Sequence, residues 1–346
     1  MNEQLSRLLV AAFEGKPVAG DGLNFAAEDV NTAAVKALYE ALGLSENSSP
    51  RDFRAVENAA FALIEEKIDE ILPKKLEAVL DAYAEVKTFG RDAEVVFNID
   101  KIGKNRAKLT ISKGARGGIY RAARLDSKYF NLETRVETVS VYATLEEILL
   151  GTITLGELFN NILEGFEEAI YKEVFNALAS APAVAGYPRI KDGDTAVTNA
   201  TKATLGAALD LVLPYVKQYG IPTVFGSAVA MDLLENTADA YHPELEDSRE
   251  RRQFGIIRLY KGVKIVELPN YLVDNTNSEW FYDPKMVFVL PSGVKPVKVA
   301  LKGEMYIKKN EQAVGSEKWE AHKILGVGVA MANNFAVINV TDAVIE

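Results

Sequence analysis

Residues 154–181 read TLGELFNNILEGFEEAIYKEVFNALASA, and this stretch has the clearest helical pattern in the sequence. Its apolar side chains recur at i, i+3 and i+4 for about seven turns, which predicts a single amphipathic helix. At about 1.5 Å of rise per residue, the helix would be roughly 40 Å long, more than is usual in globular proteins. Pro182 follows and predicts its end. The remaining segments should therefore be arranged around a long rod.

The sequence before residue 86 is mainly helical in pattern. Residues 2–44 contain two amphipathic runs that are separated by a break at residues 15–22. After a polar linker that includes Pro50, apolar residues from Phe53 to Tyr83 recur at helical spacing. Pro73 interrupts this run, and a proline inside a helix removes a backbone hydrogen bond. We therefore predict two helices that meet at Pro73.

The pattern changes to strands near residue 86. Clusters of β-branched and apolar residues predict strands at residues 93–99, 107–112 and 134–143. The segment 113–133, KGARGGIYRAARLDSKYFNLE, is rich in glycine and arginine and has no helical period. We predict a long loop or an open hairpin there.

Residues 201–290 have the pattern of a compact α/β lobe, and residues 297–340 are rich in strand-forming side chains. Helices are predicted at residues 202–219 and 228–236, and strands at residues 222–225, 255–260, 263–268 and 288–290. The strands of the tail need a large apolar surface to cover, and the long helix is their expected partner.

The composition predicts a globular protein with a large core. Of the 346 residues, 48% are apolar and 25% are charged, as in folded proteins. This length suggests two interleaved lobes plus an N-terminal extension. The chain has no cysteine, which excludes disulfides and thiolate metal ligands and favours synthesis in the cytosol.

The N-terminal residues predict a helix and not a targeting signal. Residues 1–20 lack a basic leader and contain Glu3 and Glu14. No apolar run approaches the ~18 residues that a membrane span requires, so we expect no membrane partner.

The charges are segregated along the chain. The net charge of −10 and the sequence pI of about 5.1 oppose binding of nucleic acid over the whole surface. Within residues 101–135, however, the basic residues are opposed only by Asp126 and Glu133. They are Lys101, Lys104, Arg106, Lys108, Lys113, Arg116, Arg121, Arg124, Lys128 and Arg135. The acidic residues of the long-helix region, opposed only by Lys172, are Glu146, Glu147, Glu157, Glu164, Glu167, Glu168 and Glu173.

A basic loop followed by an acidic rod has several interpretations. The charges can pair within one chain, or the loop can reach a second copy, where complementary charges fix orientation more than affinity. A solvated charged hairpin is the simplest alternative. A nucleic-acid-binding arm formed by residues 101–135 is another, although Tyr120, Tyr129 and Phe130 are not spaced as a stacking platform.

No motif of catalysis or cofactor binding is present. His242 and His322 are eighty positions apart, and Ser227 lacks the glycines of a nucleophile elbow. The stretch 113–118, KGARGG, matches neither the Walker pattern nor the dinucleotide fingerprint. Adjacent carboxylates such as Glu167 and Glu168 are typical of a solvated or partner-facing stripe. We predict no enzyme activity, no cofactor and no metal.

The order of these parts resembles the Hong Kong 97-type major capsid protein of tailed bacteriophages, whose fold is shared by encapsulin shells. GELFNNILEGFEEAIYKEVFNAL is similar to the spine helix of that family, and PTVFGSAVAMDLLEN to the strand and helix of its axial domain. FGIIRLYKGVKIVELPN is similar to the axial hairpin and WEAHKILGVGVAMANNFAVINV to the last peripheral strands. The resemblance covers about residues 86–346.

The resemblance implies an α+β fold with a long spine helix, a peripheral β-sheet, an extended hairpin called the E-loop and a compact axial α/β domain. A helical extension precedes these parts. The implied divisions are an arm and extension at 1–86, the E-loop and flanking strands at 87–147, the peripheral domain with its spine at 148–200, the axial domain at 201–291 and peripheral return strands at 292–346.

The function implied by the resemblance is structural: self-assembly into an icosahedral capsid that encloses phage double-stranded DNA. Subunits would form hexamers and pentamers, with the E-loop lying across the spine of a neighbour. The implied contacts are Lys104, Arg106, Lys113, Arg116, Arg121, Arg124 and Lys128 with Glu157, Glu164, Glu167 and Glu168.

Partners and location follow from the same resemblance. Portal, scaffold and decoration proteins are expected partners, DNA is enclosed without sequence-specific binding, and the protein belongs to a virion capsid assembled in the bacterial cytoplasm. An encapsulin-like compartment and a nucleic-acid-binding protein that uses residues 101–135 are the alternatives. An α/β enzyme with a pocket in the lobe at 201–290 is a third.

Overall fold

The computed structural model defines the helices and strands of the chain. It describes residues 18–20, 23–25, 33, 36–37, 40, 43, 50–99, 128–144, 155–184, 187, 190–192, 195–201, 203–238, 259–274, 276, 278–292, 295–313, 316–330 and 335–341. The α-helices with defined bounds are α1 (Pro50–Leu80), α2 (Leu155–Ser180), α3 (Leu205–Val216) and α4 (Ala228–Ala238). A short 3-10 helix (Ala181–Ala183) follows α2, and residues 33, 36, 37 and 40 are also helical. The first strands are β1 (Val18–Gly20), β2 (Leu23–Phe25), β3 (Ala84–Phe89), β4 (Val96–Ile99), β5 (Lys128–Asn131), β6 (Arg135–Thr144), β7 (Lys191–Asp192) and β8 (Thr195–Ala196). The others are β9 (Asn199–Ala200), β10 (Pro222–Gly226), β11 (Leu259–Tyr260), β12 (Val263–Glu267), β13 (Met286–Pro291), β14 (Val297–Ala313), β15 (Ser316–Val329) and β16 (Ala336–Val340).

The long helix α2 confirms the prediction from its apolar period, whereas the predicted break at Pro73 is wrong. Helix α1 continues through Pro73 for 31 residues. Proline removes one hydrogen bond, but Ile71 and Leu72 before it and Leu76 and Leu80 after it are all buried in one core. Burial on both sides keeps the axis continuous.

A four-stranded sheet packs against α1 and α2, with the strand order β3-β14-β15-β6. β3 runs parallel to β14, and the other two pairs are antiparallel. Because side chains alternate along a strand, Val299 and Leu301 face the helices, whereas Ala300 lies on the opposite face. We call these the helix face and the outer face.

Two carboxylates of α1 bind the irregular part of β14. β3 pairs with β14 only as far as Lys302, so among the described strands the edge of β14 beyond that residue has no partner for its backbone N–H groups. Asp69 accepts a hydrogen bond from Met305 N at 2.8 Å, and Glu65 accepts one from Ile307 N at 2.6 Å. Lys323 of β15, which is buried, donates to Asp69 at 2.6 Å and to Gly303 O at 2.5 Å. Helix α1 is thereby fixed to the sheet.

A six-stranded sheet forms the second lobe, with the order β11-β12-β10-β13-β16-β9. Both faces of this sheet are buried. Val287 and Val289 pack in a core with α3 and α4, whereas Phe288 and Leu290 pack in the core that contains α2. The strands β9 and β16 lie outside residues 201–291, so the predicted divisions at 148–200, 201–291 and 292–346 do not coincide with the two sheets.

The aromatic ring of Phe175 lies where the rod meets the second sheet. It stacks on Tyr282, with ring centroids 4.3 Å apart, and lies 6.2 Å from Tyr83 and 6.4 Å from Phe288. These rings come from α2, the turn after α1, the segment before β13 and β13 itself. Phe175 therefore connects both lobes through one set of ring contacts.

We expect Phe175→Ala to lower the free energy of unfolding by about 3–5 kcal/mol, because the side chain is buried and a cavity would remain. Lys172→Ala, an exposed position on the same helix, is the matched control. Chemical denaturation followed by circular dichroism measures the difference. If the two variants unfold at the same denaturant concentration, Phe175 does not couple the lobes as described.

Candidate assembly surface

The strands β4 and β5 form the root of the basic loop. They pair antiparallel, with Phe97 opposite Phe130 and Ile99 opposite Lys128. β4 confirms the predicted strand at 93–99, and the pairing is that of a hairpin. The predicted strand at 107–112 lies outside the described residues, as do Lys104, Arg106, Lys113, Arg116, Arg121 and Arg124. The backbone of Lys128 is described, but its side chain is not.

The root packs on the outer face of the four-stranded sheet. Phe97 is fully buried in a small cluster with Val95 and Ala300. The Nζ atoms of Lys87 and Lys298 lie 5.3 and 5.9 Å from the centroid of the Phe97 ring. A cation over an aromatic ring is attracted to the electron-rich face. The hairpin root therefore has both apolar and cation–π contacts to the sheet.

The carboxylate of Glu85 holds both lysines in place. It forms ion pairs with Lys298 and with Lys87, the latter at 2.5 Å. Burial raises the pKa of Glu85, but the hydrogen bonds from Lys298 and Lys87 outweigh it, so that its pKa lies below its usual value. The two ammonium groups are thereby oriented beneath the hairpin root.

Two glycines of β15 allow the chain after β5 to cross the sheet closely. A Cβ atom at Gly326 would lie 2.5 Å from Glu133 O, and one at Gly328 would lie 2.6 Å from Leu132 Cδ1. Any side chain at Gly326 would push against backbone, which cannot rotate away. The glycines therefore set the distance between the hairpin root and the sheet.

The acidic face of α2 is partly neutralised within the chain. Glu167 forms an ion pair with Lys75 at 3.2 Å, and Glu173 forms one with Arg135 at 2.5 Å. Glu168 accepts a hydrogen bond from Tyr271 Oη at 3.1 Å. Glu164 is exposed and has no hydrogen bond or ion pair within the described part of the chain. The side chain of Glu157 is not described.

Beside this acidic face lies a groove of about 510 Å³ between α2, the end of α1 and the second lobe. Phe175, Phe225 and Phe281 contribute its apolar floor. Its carboxylates are Glu164, Glu167, Glu168 and Glu267. The groove combines an apolar interior with negative charge at its margin. Sequence reasoning found the acidic stripe but not the groove, because the lining comes from separate segments of the chain.

The phenols of the groove experience this negative charge. Burial, followed by the charge of Glu167, raises the pKa of Tyr171 to about 12. Burial, together with the charge and hydrogen bond of Glu168, raises the pKa of Tyr271 to about 12. Both shifts show that burial and the neighbouring carboxylates disfavour ionisation of these phenols, which stay neutral at pH 7.

The comparisons with known proteins agree with this architecture. The model of the family described as "SPbeta prophage-derived putative capsid protein YonB" matches residues 21–339. The chain belongs to this capsid protein family. No curated protein matches it in sequence.

Solved structures extend the comparison of this YonB-family chain. A chain of the satellite phage P4 procapsid, in a structure that includes the size determination (Sid) protein, is 10% identical, with a TM-score of 0.52. The match covers 83% of this chain and 97% of that one. A likeness at this identity shows the fold, which is the Hong Kong 97-type capsid fold.

Two further structures are similar at lower TM-scores. A chain of Microbacterium phage Oxtober96 is 15% identical at a TM-score of 0.48, with 76% of this chain and 91% of that one covered. The SrpI encapsulin of Synechococcus elongatus PCC 7942 is 11% identical at 0.42, with 76% and 86% covered.

Ser227 and His322, which were considered as catalytic residues, form hydrogen bonds within the fold of this YonB-family chain. Ser227 Oγ donates to Pro284 O at 2.6 Å and accepts from Ala230 N at 3.1 Å, as an N-cap does at the start of α4. His322 Nδ1 lies 2.8 Å from Thr138 Oγ1. His242 lies outside the described residues.

Neither metal binding nor membrane insertion has a structural candidate in the described ranges. Within them, no three histidine or carboxylate side chains are grouped closely enough to hold a metal ion. Of the helices described, none has the length and apolar character needed to cross a membrane.

We expect Gly326→Ala to destabilise the fold by about 1–3 kcal/mol, because the added methyl group would overlap Glu133 O. Gly90→Ala is the matched control, since a Cβ there meets no atom within 4 Å. Thermal unfolding of both variants measures the effect. Equal melting temperatures would show that the close approach at Gly326 is not required.

We expect Glu85→Gln to destabilise the protein by roughly 1 kcal/mol at pH 7, through loss of the pairs with Lys87 and Lys298. Because the folded-state pKa of Glu85 is depressed, this contribution is present above its unfolded pKa and disappears as the pH falls through the folded value. Unfolding free energies at pH 7 and pH 3 measure the change. Glu77→Gln, an exposed position on α1, controls for the lost charge, and a pH-independent difference for Glu85→Gln would contradict the assignment.

Proposed function

We propose that copies of this chain assemble into the closed icosahedral shell that encloses the double-stranded DNA of a tailed phage. The observation that carries the proposal is the match of a capsid protein family to residues 21–339, which is nearly the whole chain. The fold supports it independently. In this function the protein is a structural subunit, and its contacts with other copies build the shell.

The contact between copies uses the segregated charges. The hairpin residues Lys104, Arg106, Lys113, Arg116, Arg121, Arg124 and Lys128 lie across the α2 residues Glu157, Glu164, Glu167 and Glu168 of a neighbour. Two features support this arrangement: the hairpin root is fixed rigidly to the sheet, and Glu164 is exposed. Since exposed pairs contribute only about 0–1 kcal/mol each, the charges fix orientation, and many weak contacts per shell supply stability.

The larger assembly follows from the same arrangement. The second lobe, formed around residues 201–291, joins copies into hexamers and pentamers. Portal, scaffold and decoration proteins complete a virion that is assembled in the bacterial cytoplasm. DNA is held by enclosure and not by sequence-specific contacts, in keeping with the net charge of −10.

We expect the combined variant Arg116→Glu, Arg121→Glu and Arg124→Glu to leave the chain folded but to abolish closed particles. Each reversal replaces attraction to the acidic face of a neighbour by repulsion. Expression of the full chain, followed by sedimentation and negative-stain electron microscopy, measures the outcome. Where a scaffold protein is required, it is supplied equally to every variant.

Three exposed lysines provide the control with an equal change of charge. Lys36→Glu, Lys74→Glu and Lys308→Glu lie outside both the hairpin and residues 201–291, and the combined control should still give particles. Normal particles from the arginine variant would refute the hairpin contact. A wild-type chain that stays monomeric with scaffold supplied would refute the shell function itself.

A further inference from the structure

The groove between α2 and the second lobe has an apolar interior and an acidic margin. Its floor is aromatic and its margin carries Glu164, Glu168 and Glu267. Val79 and Tyr271, which also line it, are 54% and 48% exposed. An apolar groove whose lining is exposed within the described part of the chain is typical of an interaction site.

The composition of the groove selects the composition of its occupant. An apolar floor needs an apolar or aromatic side chain, and the carboxylates need cations close to it on the same segment. Residues 116–124, RGGIYRAAR, have this combination: Ile119 and Tyr120 are flanked by Arg116, Arg121 and Arg124. No acidic residue interrupts them. Arginine and tyrosine are also the residue types that are enriched where protein interfaces bind most strongly.

The topology favours insertion between copies over insertion within one copy. The hairpin root packs on the outer face of the four-stranded sheet, through Phe97 and Ala300. The groove is lined by α1 and α2, which cover the helix face of the same sheet. A loop that leaves the outer face must pass around the edge of the sheet to reach its own groove. The groove of a second copy can lie directly in its path.

We propose that Ile119 and Tyr120 of one copy insert into the groove of an adjacent copy, with the three arginines placed at its acidic margin. The inference rests on the proposed shell function and adds the apolar anchor that charge pairing lacks. The charges orient the loop on the neighbouring copy. The aromatic side chain is buried only when the two copies are in the correct register, and this burial slows dissociation of the loop. Insertion into the groove then fixes the relative position of two neighbouring subunits.

The absence of native cysteine permits a clean cross-linking test. Subunits with Ala82→Cys in the groove are mixed with subunits with Ala122→Cys, which lies two positions from Tyr120 and leaves the anchor intact, and the mixture is assembled and oxidised. Ala82 lines the groove and is exposed. A disulfide requires Cα atoms within about 4.4–6.8 Å, so its formation reports close approach of the segment around Tyr120 to the groove. We expect a covalent dimer on a non-reducing gel. Because each copy carries only one cysteine, the disulfide must join two copies.

The control replaces Ala122→Cys by Tyr129→Cys, which lies on the same hairpin but at its fixed root and is 68% exposed. It should assemble without cross-linking to Ala82→Cys. Particles that form from the Ala122→Cys mixture without a covalent dimer would overturn the anchor and leave the shell function intact. Absence of particles from the wild-type chain would overturn both.

A peptide measurement keeps the inference testable if a cysteine variant fails to assemble. A labelled peptide of residues 113–128 is titrated with the full-length chain and followed by fluorescence anisotropy. We expect saturable binding that is at least tenfold weaker for the Tyr120→Ala peptide and also weaker for the full-length Glu164→Lys chain. Equal affinities of the two peptides would refute the aromatic anchor, and binding unaffected by Glu164→Lys would refute the role of the acidic margin.

Discussion

The structure depends on the burial of one long helix between two sheets. Helix α2 supplies apolar side chains to the core beneath the four-stranded sheet, and through Phe175 it also meets the aromatic side of the six-stranded sheet. Neither sheet can be displaced without exposing part of this core to water, which costs about 25 cal/mol for each Å² of apolar surface. The outward features of the protein, including the hairpin root and the groove, are held in place by this shared core.

The distribution of charge complements that core. Lys75, Arg135 and Tyr271 satisfy three acidic groups of α2 within the subunit, whereas Glu164 remains exposed. The internal pairs fix the helix to α1, to β6 and to the segment that contains Tyr271. The sequence showed the segregation of basic and acidic residues, but pairing of Arg135 with Glu173 shows that part of it acts inside one chain.

Local sequence patterns predicted the helices and strands better than they predicted which segments pack or pair together. The period of α2 and the strands around Pro222 and Val263 could be predicted, because each depends on neighbouring residues alone. The continuity of α1 through Pro73 could not, because burial on both sides of the proline overrides the local preference. The position of β16 in the second sheet was missed for a related reason, since a strand pattern does not specify which strand it pairs with. The groove was missed because distant segments form it.

The strand order of the first sheet has a consequence for the synthesis of the subunit. Its edge strands, β3 and β6, are translated early, but they pair only with β14 and β15, which end at Val329. The bonds from Asp69 and Glu65 to β14 likewise join positions 236 and 242 residues apart. A nascent chain therefore lacks the surface that supports the hairpin root until β14 and β15 have left the ribosome. A chain that terminates before β15 is complete cannot form the first sheet. The order of strands therefore prevents incomplete chains from entering the particle as folded subunits.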